Sequence, residues 1–219
     1  AGLMNLTQAV GVIMGANIGT TVTSWIVSMG EWSQALKPEF VAPLFIGIGS
    51  FLLMFAKGEK KRDIGQIILG FGVLFIGLSF MSDAITPYRD LPIFVNIFTT
   101  LGQNPLFGIL AGAIVTGIIQ SSSASVGILQ TLSANGVVNW SSAIYITLVQ
   151  NIGTCVTALI SSAGSNRNGK RAAVIHLLFN TTGAIIYSII MFILFRLNTS
   201  WANSNINSVE ISIFHTIFN

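Results

Sequence analysis

Gln120-Ser121-Ser122-Ser123 places an amide and successive hydroxyls inside the otherwise apolar stretch 106–134, and Ser125 follows closely. Such groups are costly between apolar helices unless they are satisfied. A serine hydroxyl both donates and accepts, so it can turn oxygen toward a cation or a proton toward an anion. Backbone N–H groups at the start of a half-helix favour an anion, through orphan donors and the helix dipole. Small polar residues also serve helix–helix packing. A contiguous Gln and three Ser after a Gly- and Ala-rich helix favours the binding role.

A second motif occurs twice. Asn17-Ile18-Gly19-Thr20-Thr21-Val22-Thr23 recurs as Asn151-Ile152-Gly153-Thr154-Cys155-Val156-Thr157, with six of seven positions identical at an offset of 134. The same offset pairs Gly2 with Gly136, Asn5 with Asn139 and Ser28 with Ser162. Glycine in a span allows unwinding that frees carbonyls, and Thr, Asn and the preceding Gln150 add neutral oxygens. Such oxygens suit Na⁺, by analogy with other hard cations. The competing reading is a glycine packing notch with threonines bonded to the preceding turn.

A third pattern, H-x-x-F-N, appears at His176–Asn180 and again at His215–Asn219. Its His and Asn, four apart, share a helix face. An ionisable residue inside a span is a functional candidate, and a hydrogen bond between spans is the plainer alternative. No Asp, Glu or Cys cluster accompanies these histidines, which argues against a metal centre. Cys155, the single cysteine, excludes a disulfide framework within the chain and reads as a small packing residue.

The elements that must position these motifs lie in a chain of 219 residues, 52% hydrophobic and 8% charged, with mean hydropathy +0.77. A soluble domain carries about 25% charged residues. Seven acids and ten bases cannot cover a soluble surface of this size. A soluble enzyme, a disordered tail and a nucleic-acid binder are excluded, which leaves an integral membrane protein. No Ser–His–Asp set, phosphate loop or paired carboxylates are present, so the chain is expected not to be an enzyme or an ATP-driven pump. Asp83, at a span end, reads as interfacial.

A spanning helix needs about 20 mostly apolar residues. Residues 6–28, 40–57, 64–82 and 172–195 fit, and 142–162 fits with a polar middle. Residues 91–101 are too short to span, and the Asn/Ser-rich 197–209 reads as a loop. Lys57, Lys60, Lys61 and Arg62 form one basic loop; Arg167, Lys170 and Arg171 form another. Both are expected in the cytoplasm, so an even number of crossings links them. Span 64–82 leaves and span 142–162 returns. Residues 106–134 then form a re-entrant helical hairpin with the serines at its tip, a geometry allowed at membrane depth only inside protein or beside water. Loop 29–39 faces outside. Residue 162 therefore runs into the cytoplasmic loop while its counterpart 28 runs outward. The repeats are inverted, as in secondary transporters, whose sites lie at the repeat interface.

These motifs resemble the type II sodium-dependent phosphate cotransporter family in its bacterial form. The match runs from Gly2 to about Ser28 and from Gly112 to Asn180, which makes the chain look truncated at both ends. The resemblance implies two inverted repeats, each with Q-S-S-S in a re-entrant region followed by N-I-G-T. The fold expected is all-α integral membrane, with inverted-topology repeats, a re-entrant helical hairpin and broken helices. Residues 1–57 would be the remainder of the first repeat, 58–105 a connecting span and linker, 106–196 the second repeat, and 197–219 an external loop and the start of a further span.

By resemblance, Gln120, Ser121, Ser122 and Ser123 would contact phosphate. Gln120, Ser122, Gln150, Asn151, Thr154 and Thr157 would hold sodium, with Asn17, Thr20 and Thr23 as repeat partners. His176 and Asn180 would be structural or gating residues. The first Q-S-S-S is absent, and Ala42 and Ile46 stand where His176 and Asn180 would have counterparts. As it stands, the chain is not expected to transport by itself. The expected function is Na⁺-coupled phosphate symport by alternating access, in a multi-pass protein of the cell membrane. Its partners would be phosphate, Na⁺ as coupling ion and the lipid bilayer, with no other cofactor. The alternatives are a symporter for another oxyanion or small carboxylate, a channel, and a non-transporting scaffold.

Overall fold

The computed structural model describes residues 4–29, 38–85, 87, 91–92, 100–101 and 104–219. Among them run α1 (Leu6–Ser28), α2 (Pro38–Phe55), α3 (Glu59–Ile85), α4 (Pro105–Ile119), α5 (Ser122–Ala134), α6 (Trp140–Ser162), α7 (Arg167–Leu197), α8 (Thr199–Asn203) and α9 (Ser208–Phe218). There is no strand among the described residues, only an isolated bridge between Asn139 and Asn205. The chain is an all-α membrane protein.

The repeat is visible in how its two long helices begin. Asn5 accepts from the Gln8 N–H at 2.9 Å, and the Gln8 side chain accepts from the Asn5 N–H at 3.0 Å. Asn139 accepts from the Ser142 N–H at 2.9 Å, and the Ser142 hydroxyl accepts from the Asn139 N–H at 3.2 Å. Each is a reciprocal capping box that satisfies orphan donors at a helix start. The helices that follow, α1 and α6, are each 23 residues long.

Helix α6 is the centre of the bundle. Ile144, Tyr145, Leu148 and Val149 are buried against Val126 and Leu129 of α5, Met191 and Phe195 of α7, and Ile211 and Phe214 of α9. A smaller cluster around Ala42 and Phe75 joins α2 to α3. That pair packs through glycine: a Cβ on Gly49 would lie 2.5 Å from the Leu69 nitrogen. The outer faces are apolar as well. Ile18 and Val22 of α1, Phe51 of α2 and Ile189 of α7 are exposed, Ile189 by 57%. Burying such a side chain is worth roughly 1.5–3 kcal/mol, so these faces belong against lipid. Helices α1, α6 and α7 are long and apolar enough to cross a bilayer.

Several expectations need correction. The segment 197–209 is not all loop, because α8 lies within it and α9 begins at Ser208; the Asn198 and Asn207 side chains cap both helices. Lys60, Lys61 and Arg62 ride the first turns of α3, and Arg167, Lys170 and Arg171 the first turns of α7. The expected span 40–57 is α2, whose helix runs Pro38–Phe55. Most importantly, the N-I-G-T segments do not unwind: α1 and α6 run unbroken through Gly19 and Gly153. The threonines bond back to the preceding turn instead, Thr20 to Ala16 O at 3.1 Å and Thr154 to Asn151 O at 2.8 Å. The expectations for 30–37 and 93–99 lie outside the described residues.

Candidate functional site around the hairpin tip

Helix α4 stops because Gln120 takes a left-handed conformation, φ 59° and ψ 23°. It is the only non-glycine residue with positive φ among those described. This conformation costs roughly 1–2 kcal/mol for a residue with a Cβ, and such outliers persist where surrounding structure fixes them. The Gln120 N–H still bonds to Thr116 O at 2.8 Å. Its side-chain Nε2 turns back onto Gly117 O, and its Oε1 accepts the Thr157 hydroxyl proton from α6. The tip of the hairpin is thereby tied to the central helix.

Ser121 is extended and caps α5, its Oγ accepting from the Ala124 N–H at 3.2 Å. Ser125 N–H bonds to Ser121 O. The amides of Ser122 and Ser123 precede the first bonded donor of α5, Ser125 N–H, and so have no acceptor within the helix, as the opening N–H groups of any helix do. The Ser122 and Ser123 hydroxyls are half-buried and make no hydrogen bond among the described residues. Below them the hairpin is closed by the buried pair Thr116 and Ser125, 2.8 Å apart.

Glycine sets the distance between hairpin and central helix. A Cβ on Gly153 would lie 2.6 Å from the Thr116 Cβ and 3.0 Å from the Gly117 nitrogen. A Cβ on Gly112 would lie 2.7 Å from Ile146 O. So α4 and α6 meet backbone to backbone, running parallel from Gly108 beside Tyr145 to Gln120 beside Thr157. Helices α4 and α5 have 15 and 13 residues, about 22 and 20 Å. Neither spans a hydrocarbon core of about 30 Å, which is the proportion of a re-entrant hairpin.

The residues expected to hold sodium fall into groups. Gln120 and Thr157 are joined directly at the tip. Gln150, Thr154 and Thr157, at spacings of four and three, share one face of α6. Gln150 is 0% exposed, and both its amide atoms lack a partner among the described residues. Buried polar atoms in that condition call for a water or an ion. Asn151 and Asn17 do something else. Asn151 Nδ2 donates to Asn219 Oδ1, and Asn17 Nδ2 donates to Asn180 Oδ1 at 2.9 Å. Asn180 and Asn219 each donate in turn to the carbonyl of their own histidine, His176 at 3.0 Å and His215 at 2.9 Å. Thr20 and Thr23 lie on α1, and no hydrogen bond joins them to the tip among the described residues. His176 is half-buried on α7.

One polar centre escaped the sequence reading. Gln130 of α5 donates through Nε2 to Ser24 O at 3.1 Å and Ser208 O at 3.0 Å, with the Ser24 and Ser212 hydroxyls also in range. It pins α1, α5 and α9 together, and its Oε1 has no partner among the described residues. Its only sequence signal is an amide in an apolar helix. His215 is also fully buried, and both its ring nitrogens lack a partner among the described residues. No group of three or more His, Cys, Asp or Glu is assembled among the described residues.

The family model described as Na+/Pi-cotransporter matches residues 1–83 and 92–214. The "Uncharacterized protein YqeW" of Bacillus subtilis (strain 168) is 27% identical over 186 residues, 85% of this chain and 58% of that protein. The "Putative inorganic phosphate export protein YjbB" of Escherichia coli (strain K12) is 26% identical over 218 residues, 99% of this chain and 38% of that protein. The "Sodium-dependent phosphate transport protein 2A" of Rattus norvegicus is 33% identical over 143 residues, 58% of this chain and 22% of that protein. The chain thus spans less than two thirds of the length of each. No solved structure matches it significantly.

Proposed function

The chain belongs to the Na+/Pi-cotransporter family, and from that premise we propose that it forms part of a multi-pass carrier moving inorganic phosphate across the cell membrane, coupled to Na⁺. The observation that carries this reading is the hairpin tip. There, a left-handed Gln120 is tied to Thr157 and opens the first turn of α5, with the Ser122 and Ser123 hydroxyls making no hydrogen bond among the described residues.

Phosphate sits at the start of α5. The Ser122 and Ser123 amides and hydroxyls donate to it, and the positive end of the helix dipole favours its charge. Ser121 holds that turn in place through the Ala124 N–H. No basic side chain lies in the 116–125 hairpin tip or in the Gln150–Thr157 segment beside it. Na⁺ supplies the missing positive charge from neutral oxygens: Gln120 Oε1, the Ser122 and Thr157 hydroxyls, and Thr154 and Gln150 further along α6. Because α6 stays helical, these ligands are side-chain oxygens rather than carbonyls freed from the helix. Asn151, Asn17, Thr20 and Thr23 contribute through the frame between the repeats rather than at the tip. His176 and Asn180 have the same framing role.

The two long helices α1 and α6, with matched capping boxes and matched N-I-G-T segments, act as counterparts in inverted repeats. Alternating access follows from rocking one against the other. The rat relative's name couples phosphate to sodium, whereas the Escherichia coli relative's name gives export. An inward Na⁺ gradient drives coupled uptake, so the two readings differ in a flux assay.

The test is radiolabelled phosphate flux in proteoliposomes holding the full-length protein, with and without a Na⁺ gradient. Na⁺-dependent, saturable uptake supports the proposal. Flux without Na⁺ dependence removes the coupling, and currents uncoupled from phosphate point to a channel. Competition by sulfate, arsenate and small carboxylates tests the anion, since hydroxyls and a helix start do not by themselves select phosphate.

A further inference from the structure

At the end of α7 away from the basic turns, a second polar pocket of about 370 Å³ opens among Ser141, Tyr145, Phe192, Arg196, Thr199 and Asn203. We propose that it binds a phosphate-bearing anion at the membrane surface, separately from the hairpin tip. Arg196 is the first reason. Its guanidinium lies 5.3 Å from the centre of the Phe192 ring, and it makes no hydrogen bond or ion pair among the described residues. A stacked guanidinium is held in orientation with its donor edge free, the geometry that suits phosphate oxygens.

Tyr145 is the second. Its side chain is only 2% exposed, packed edge-on against Phe195 with ring centres 6.0 Å apart. Tyr145 lines the pocket, and its hydroxyl makes no hydrogen bond among the described residues. Thr199 and Asn203 line the same space, and their side chains make no hydrogen bond among those residues. The Ser141 hydroxyl donates to Asn139 at 3.1 Å and forms wall only. One cation and three residues with neutral donors therefore line one cavity, with no carboxylate in its lining.

The setting gives its depth. Trp140 and Trp201 lie against each other at 5.0 Å beside the pocket, and Trp201 meets Phe195 at 5.0 Å. Tryptophans of this kind mark the level of lipid headgroups. The phosphate could thus be a phospholipid headgroup or free orthophosphate waiting outside the carrier. The chemistry of recognition is the same for both.

The experiment uses the full-length protein in nanodiscs with two arms. Native mass spectrometry follows retained phosphatidylglycerol. Equilibrium dialysis follows radiolabelled orthophosphate in phosphatidylcholine discs, on a Ser122→Ala background that removes the tip. Arg196→Gln and Tyr145→Phe are compared with the unsubstituted pocket in each arm. Tyr145→Phe keeps the ring packing, so it reads the hydroxyl alone even if Arg196→Gln folds poorly. The expected result is a loss of about tenfold or more for Arg196→Gln in one arm, the worth of a charged hydrogen bond, with a smaller loss for Tyr145→Phe. Loss in the lipid arm assigns a headgroup, and loss in the phosphate arm assigns the free ion. Binding unchanged in both arms overturns the proposal.

Discussion

The Asn17 side chain donates to the Asn180 side chain at 2.9 Å, buried, across 163 positions of sequence. The other N-I-G-T asparagine, Asn151, pairs in the same way with Asn219. Each copy of one motif is thus bonded to a copy of another, N-I-G-T to H-x-x-F-N. Asn180 also contacts Cys155 Sγ at 3.6 Å, so α1, α6 and α7 meet at one amide.

Asn17→Ala should therefore destabilise the protein by about 1–3 kcal/mol, the cost of leaving a buried amide unsatisfied. Asn180→Ala should cost at least as much, because three bonds are lost. Thermal unfolding in detergent measures both. A double-mutant cycle should return a coupling of roughly 0.5–3 kcal/mol; additive effects would mean that the pair carries no interaction energy.

Gly153→Ala should push α4 away from α6, since the new Cβ would meet the Thr116 Cβ at 2.6 Å. Overpacking of this kind costs about 1–3 kcal/mol. The shift also draws Gln120 from Thr157, so the Na⁺ concentration for half-maximal phosphate flux should rise. Unchanged stability and unchanged Na⁺ dependence would contradict the close approach.

Gln120→Gly separates backbone from side chain. Glycine adopts the left-handed conformation without penalty, so the turn should survive and unfolding temperature should not fall. The amide that meets Thr157 is gone, and Na⁺-coupled flux should drop about tenfold or more. Wild-type flux in this variant would remove Gln120 from the site.

Gln130→Leu should destabilise the bundle by about 1–3 kcal/mol, because the Ser24 and Ser208 carbonyls lose their donor in a buried place. Thermal unfolding measures this too. No loss would mean that the three-helix junction is held by apolar packing alone.

How far the sequence discloses this arrangement depends on how local the physics is. The helix starts at Asn5 and Asn139 are legible because a capping box closes within four residues. The break at Gln120-Ser121 is legible because polar residues interrupt an apolar run. The continuity of α6 through Gly153 is not. A glycine can be a hinge or a notch, and the difference lies in whether another backbone, here that of Gly117, comes against it. The asparagine pairs and the Gln130 junction are invisible for the same reason. Their partners are 163, 106 and 78 positions away, and nothing in the local pattern names them. The five residues of α8 are hidden in an Asn/Ser-rich segment whose composition reads as loop but whose Asn198 is a cap.

The most direct test of the central claim is Na⁺-driven uptake of radiolabelled phosphate by the full-length protein in proteoliposomes, with Ser122→Ala measured beside it. The account predicts uptake that requires the Na⁺ gradient and falls sharply in Ser122→Ala while the protein remains folded. Phosphate uptake indifferent to Na⁺, or equal in the two proteins, would contradict it.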